Sequence, residues 1–211
     1  MPPRTSYSRA EYRSDAVVHV AGLALVTAAV PVLIVLAATQ RGDVASVAGA
    51  AVYGATLAAM ILCSALYNMV RRPDWAWLLR RMDHAAIYVK IAGTYTPFAL
   101  LTGQGTGLVA AVWAAAGIGV VLKLVDPGRF RWPALALYLG MGWAGMVAGG
   151  DLLAALPPAS VLLMVLGGAI YTAGVAFYLW ERMPHHNTVW HVFVLAATAV
   201  FYAAVTVAVV A

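Results

Sequence analysis

Arg80 to Phe98 reads RRMDHAAIYVKIAGTYTPF, and this stretch decides the fold because it sets Asp83, His84 and Lys90 inside an otherwise apolar run. A charged side chain at the centre of a membrane span is disfavoured by roughly 2.5–3.5 kcal/mol on insertion scales, so such groups face a protein interior or a water-filled cavity. Neighbouring helices must supply their partners.

The surrounding sequence has the composition of a membrane protein. Of 211 residues, 64% are hydrophobic and 10% charged, and the mean hydropathy is +0.86. A soluble domain carries about 25% charged residues, so a soluble enzyme is excluded. The net charge of +5 does not indicate nucleic acid as a partner, because the Lys and Arg residues sit in short segments between apolar runs, where membrane topology accounts for them. Cys63 is the single cysteine, so no intrachain disulfide forms.

Working outward, the apolar runs predict an all-α membrane protein, a seven-transmembrane helix bundle over residues 15–211, after a cytoplasmic N-terminal segment 1–14. Spans are expected at about 16–38, 44–70, 82–102, 106–125, 132–149, 160–180 and 188–211, from about 20 apolar residues per crossing. No small-residue cleavage site follows the first run, so it reads as a span and not as a signal peptide. The loop cations set the orientation. Arg4, Arg9 and Arg13, then Arg71, Arg72, Arg80 and Arg81, then Lys123, Arg129 and Arg131 fall on one side, with Arg182 in the last loop of that side. The other side carries only Arg41. The amino terminus is expected inside and the carboxyl terminus outside.

Packing signals accompany the spans. Gly145 and Gly149 form a GxxxG, and Gly140, Gly142, Gly167, Gly168 and Gly174 are expected to let helices approach. Pro97 should kink the third span and free a carbonyl near Gly93, within reach of Thr94 or Thr96. Trp75, Trp77, Trp132, Trp180 and Trp190 read as anchors at a headgroup belt.

Residues four apart share a helix face, and three spans carry such a polar pair near the cytoplasmic side: Asp15 with His19, Ser64 with Asn68, and Asn187 with His191. Asp83 sits at the same level. Each has an ordinary explanation alone: an acid favoured in a first turn for Asp83, a backbone bond for Ser64, a cap for Asn187, an interior hydrogen bond for either histidine. Their coincidence at one depth on four helices implies a shared polar cavity.

At these residues the chain resembles the hemolysin III group of bacterial membrane proteins, within the progestin and adipoQ receptor superfamily. The markers are Glu11 with His19 and Gly22, SALYN at 64–68, RMDHAAIY followed by IAGTYTP, LYLGMGW at 137–143 and WHVFVLA at 190–196. The resemblance implies a seven-helix protein of the bacterial inner membrane with a cytoplasmic amino terminus. It also implies a zinc site near the cytoplasmic face, held by three histidines with a serine and an aspartate close by, and lipid-amide hydrolase chemistry.

The chain departs from that pattern where the chemistry matters. Two of the implied zinc ligands are Asn68 and Asn187, leaving His191 as the retained one, and a further bacterial histidine is replaced by Phe201. Catalytic zinc takes His, Cys or carboxylate donors, and a carboxamide oxygen is a poorer ligand. A rebuilt set could draw on Asp15, His19, Asp83, His191 and His186. Alternatively Lys90, two turns beyond Asp83 on the same face, could reach back and neutralise Asp83 or Asp15.

Three function classes follow. One is a membrane hydrolase cutting a lipid amide or ester, with Asp83 positioning water and Ser64 steadying the oxyanion. The second is a non-catalytic, receptor-like or stress-related relative that keeps a cavity for a lipid or lipid-like ligand, lined by Glu11, Asp15, His19, His84 and Lys90; Asn68 and Asn187 favour it. The third is a pore or proton pathway of the hemolysin type, against which stands the lack of charged residues in the outer half.

Overall fold

The computed structural model describes residues 8–70, 72–126, 128 and 130–211, so Arg4, Arg71 and Arg129 of the topology argument lie outside the described residues. Among those described there are helices and no strands. They are α1 (Arg9–Leu36), α2 (Val44–Met69), α3 (Pro73–Thr102), α4 (Thr106–Val125), α5 (Arg131–Ala148), the single-turn α6 (Gly150–Ala154), α7 (Pro158–Leu179) and α8 (His186–Val210). Residues Ala37–Arg41 prolong α1 as a widened turn, closed by a bond from Gly42 N to the Ala37 carbonyl, with Gly42 left-handed at φ 70°.

Local chemistry sets the ends. Ser8 and Glu11 form a reciprocal capping box at the start of α1, Asp43 caps α2 by accepting from Ser46 N, and Pro73 opens α3 where a missing N–H costs nothing. Gly103 closes α3 in the left-handed region at φ 68°. Arg81 crosses to α4 and donates from Nε to the Leu124 carbonyl at 2.8 Å, satisfying an orphan acceptor at that helix end.

Among the described residues, five helices are long and apolar enough to cross a membrane: Arg9–Arg41, Val44–Met69, Thr106–Val125, Pro158–Leu179 and His186–Val210. α3 carries Asp74, Arg80, Arg81, Asp83, His84 and Lys90 along its first 18 residues. α5 is 18 residues long and opens on Arg131, Trp132 and Pro133. α3 also begins nine residues earlier than its apolar run, so Arg80 and Arg81, expected in a loop, are helical.

Two apolar cores form among the described residues. Leu33, Tyr53, Leu57, Phe98, Leu152 and Val205 belong to one, built mainly by α1, α2, α7 and α8. Tyr88, Ala92, Tyr95, Val112, Ala116 and Met141 build the other, from α3, α4 and α5. The tyrosines of the deciding stretch join α3 to α5: Tyr88 Oη donates to the Ala134 carbonyl at 2.7 Å, and Tyr95 Oη donates to the Met141 carbonyl at 2.8 Å while accepting from Gly145 N.

The packing expectations need correcting in part. At Gly140 and Gly142 an added Cβ would meet nothing within 4 Å, so neither is a close approach, whereas at Gly54, Gly93 and Gly119 it would run into a side chain of a neighbouring helix. Pro97 packs on Gly49 of α2, and Thr94 and Thr96 donate to the Lys90 and Ala92 carbonyls instead of that of Gly93. Trp75, Trp77, Trp132 and Trp180 are exposed as belt residues are, but Trp190 is buried, packed on Gly174 and 5.4 Å from the Tyr178 ring.

Candidate metal centre and cavity

The beginnings of α1 and α8 are fastened together before any functional group is reached. His185, in the left-handed region at φ 59°, donates its N–H to Glu11 Oε1 at 3.1 Å. Its Nδ1 lies 2.9 Å from Ser14 Oγ, which is 3.0 Å from Thr188 Oγ1. A non-glycine residue in this region costs about 1–3 kcal/mol and persists only where its surroundings hold it. Glu11 therefore serves the cap and this fastening; the cavity wall does not include it.

One and two turns further on, α1, α2 and α8 bring their polar pairs together. His191 Nδ1 lies 2.6 Å from Asp15 Oδ1. His19 Nδ1 lies 2.8 Å from the Asp15 carbonyl oxygen and its Nε2 3.2 Å from Ser64 Oγ. The two imidazoles meet edge to face, 4.5 Å between centroids. A carbonyl and a carboxylate only accept, so in the neutral rings both Nδ1–H groups donate and both Nε2 atoms keep their lone pairs.

Asn68 and Asn187 are engaged with each other. Asn187 Nδ2 donates to Asn68 Oδ1 at 3.3 Å, and Asn68 Nδ2 donates to the Ser64 carbonyl at 2.9 Å. Two carboxamides bonded in this way do not fit a zinc site at the positions the resemblance implies. Asp15, His19 and His191 do: their ligand atoms lie within 4.8 Å of one another, Asp15 and His19 are buried, and the three could hold a metal ion. Two histidines and a carboxylate are a known catalytic zinc donor set. Asp83 and His186 stand outside this group.

His19, Ser64, Asn68, His186, Asn187 and His191 line one cavity of about 1010 Å³, which reaches across to Asp83, His84 and Lys90 on α3. Asp15 lies behind His19 and His191. His84 makes an edge-to-face contact with Tyr67, 6.3 Å between centroids. Lys90 does not turn toward the acids: its Nζ stands 4.8 Å from the centre of the Tyr171 ring and 4.9 Å from that of Phe201. Tyr171, Phe201, Lys123 and Arg131 also line the cavity, and spacing along one helix gives no sign of them because α4, α5, α7 and α8 supply them.

The comparisons agree with this frame. Residues 10–202 match the family model described as haemolysin-III related. The chain is 35% identical over 192 residues to the hemolysin-3 homolog of Bacillus subtilis (strain 168), covering 90% of each chain. It is 34% identical over 194 residues to hemolysin-3 of Bacillus cereus, covering 90% of this chain and 87% of the relative. A human protein, monocyte to macrophage differentiation factor, matches at 26% over 176 residues, 73% of this chain and 67% of its own. With a matched segment that takes in all but the last turns of α8 and the whole of the α1–α2–α8 cluster, this multi-pass membrane protein belongs to the haemolysin-III related family.

Proposed function

We propose that the chain is a metal-dependent hydrolase acting on an amide or ester bond of a membrane lipid, with a zinc site displaced from the family position onto Asp15, His19 and His191. In this reading α1 to α5, α7 and α8 all span the bacterial inner membrane, the amino terminus is cytoplasmic and the carboxyl terminus outside. The cation-rich α2–α3 and α4–α5 ends support that orientation. The observation that carries the function is the meeting of two imidazoles and one carboxylate within 4.8 Å on α1 and α8, beside a cavity large enough for an amphiphile.

A zinc ion held there supplies Lewis acidity and lowers the pKa of water. The chain's own residues do the rest. Asp15 Oδ1 accepts from the His191 Nδ1–H and fixes the orientation of that ring, and its other carboxylate oxygen is the one that would hold the ion. Ser64 offers a hydroxyl to the oxyanion that develops on the scissile carbonyl. Asp83, which lines the same cavity, holds the attacking water, takes its proton and passes it to the departing amine or alcohol. The apolar wall takes the acyl chain and excludes bulk water.

Elemental analysis of protein purified without added metal tests this together with hydrolysis of an N-acyl fluorogenic lipid amide. Stoichiometric zinc and turnover are expected in the wild type, both lost in His191→Ala and zinc kept in Asn187→Ala. A wild type without zinc or turnover sinks the proposal. The Asn187–Asn68 hydrogen bond favours a second reading, a non-catalytic receptor-like protein that binds a lipid in the same cavity; zinc bound only after Asn68→His with Asn187→His supports that one.

A further inference from the structure

The cavity has a second polar station besides His19 and His191. Arg80 of α3, Lys123 of α4, Arg131 of α5 and Arg182 beyond α7 all face it. Lys123 is unlike an ordinary topology-setting cation. It occupies the last turn of α4, where a lysine normally extends outward to the headgroups, yet it is 8% exposed and turned inward. Arg80 and Arg131 both repel its charge, and Asp126 attracts it.

Arg131 bonds Glu181 at 2.8 Å and lies over the Trp132 and Tyr178 rings. Its Nε is shielded and has no hydrogen-bond partner among the described residues. Around the whole cavity five cations (Arg80, Lys90, Lys123, Arg131, Arg182) face two carboxylates (Asp83, Glu181). A loop that only sets topology has no reason to gather like charges around an interior space, because their repulsion strengthens as water is excluded. An anion with several acceptor oxygens relieves that repulsion, and guanidinium groups match phosphate geometry. The remaining wall, with Ile61, Ile91, Leu139, Met146 and Met164, suits an alkyl chain.

We infer that Arg80, Lys123 and Arg131 form a headgroup subsite for a phosphate-bearing amphiphile, whose chain lies in the apolar part of the cavity. That this amphiphile is the substrate rests on the proposed hydrolase; its binding does not. Purified full-length protein in an uncharged detergent, with and without chelator, is titrated with a short-chain phosphatidate, the diacylglycerol of the same chains, and inorganic phosphate. Phosphatidate is expected to bind at least about tenfold tighter than diacylglycerol, since a charge-assisted bond is worth about 1.5–3 kcal/mol. Lys123→Met and Arg80→Gln should each remove about that factor, whereas Arg41→Gln, far from the cavity in the α1–α2 connection, should leave binding unchanged. Equal binding of diacylglycerol overturns the subsite. Inorganic phosphate binding as tightly as phosphatidate overturns the amphiphile, and phosphatidate binding untouched in folded Arg80→Gln and Lys123→Met overturns the residue assignment. Chelator-insensitive phosphatidate binding in a protein that hydrolyses nothing would sink the hydrolase and leave this subsite standing.

Discussion

His191 on α8 and Asp15 on α1, 176 residues apart in sequence, are joined by a contact of 2.6 Å between Nδ1 and Oδ1, with both side chains about one-tenth exposed. The contact ties the two ends of the chain together and fixes the tautomer of the ring. Residues in one hydrogen-bond network show coupling energies of about 0.5–3 kcal/mol in double-mutant cycles. Asp15→Asn and His191→Gln, singly and together, should give a coupling in that range from thermal unfolding in detergent. Additive effects would show that the two side chains do not act on each other.

Reinstating imidazoles on α2 and α8 tests how completely the site has moved. Asn68 and Asn187 touch at 3.3 Å, and His191 is one turn beyond Asn187 on the same face. The double substitution Asn68→His with Asn187→His should therefore add a three-imidazole set and make bound zinc resist dialysis against chelator. Each single substitution gives, with His191, only two imidazoles of that set, and should gain little. Equal gains from either single variant would place the ligands elsewhere.

The sequence makes the helices legible because they are long apolar runs, and it makes the polar pairs legible because four-residue spacing puts both members on one face. That Asp15, His19, Ser64, Asn68, Asn187 and His191 meet follows from depth alone. Which atoms pair does not. Lys90 and Asp83 share a face two turns apart, yet Lys90 runs to rings from α7 and α8, and the choice depends on helix rotations that no single helix encodes. The glycines misled for the same reason: spacing marks Gly140 and Gly142, but whether a glycine is a close approach depends on the opposing side chain. The cap that Glu11 makes with Ser8 is local, three residues apart, whereas its hold on His185 depends on the α7–α8 connection.

Gly117 and Gly119, two residues apart on α4, give a direct contrast. A Cβ at Gly119 would run into the Tyr88 ring, while one at Gly117 meets nothing within 4 Å. Tyr88 is anchored by its bond to Ala134 and cannot retreat freely. Gly119→Ala should destabilise by about 1–3 kcal/mol through overpacking. Gly117→Ala should be neutral or stabilising by up to about 1 kcal/mol, from the backbone entropy glycine loses in a helix. Thermal midpoints in the same detergent decide it, and equal midpoints for the two variants would contradict the α3–α4 packing.

Asp43 gives the fold an acid-sensitive joint outside the spans. Its carboxylate accepts from Ser46 Oγ at 2.6 Å and from Ser46 N at 2.8 Å, and these bonds hold its pKa below the ordinary carboxylate value. A depressed folded-state pKa means that the stabilisation is present above the unfolded value, near about 4. It is lost as pH falls through the folded value. Asp43→Ala should therefore lie furthest below the wild type in thermal midpoint at neutral pH, with the gap closing toward pH 3. A gap that is constant from pH 7 to pH 3 would exclude the carboxylate as the cap.

Lys90 sets two opposed energies against each other in one side chain. It is 3% exposed, and its ammonium lies over the Tyr171 and Phe201 rings at 4.8 and 4.9 Å. A desolvated cation–π contact is worth about 2 kcal/mol, whereas the effective cost of burying an ion is several kcal/mol. The rings therefore offset only part of the cost, and an unbranched apolar side chain of similar size removes the rest. Lys90→Met should unfold at a temperature equal to or above that of the wild type. Phe201→Leu should then lower the midpoint more in the wild-type background, where it also removes a cation–π contact, than in the Lys90→Met background. A loss of several degrees in Lys90→Met would show instead that the ammonium holds the fold together, and would assign it a structural partner beyond the two rings.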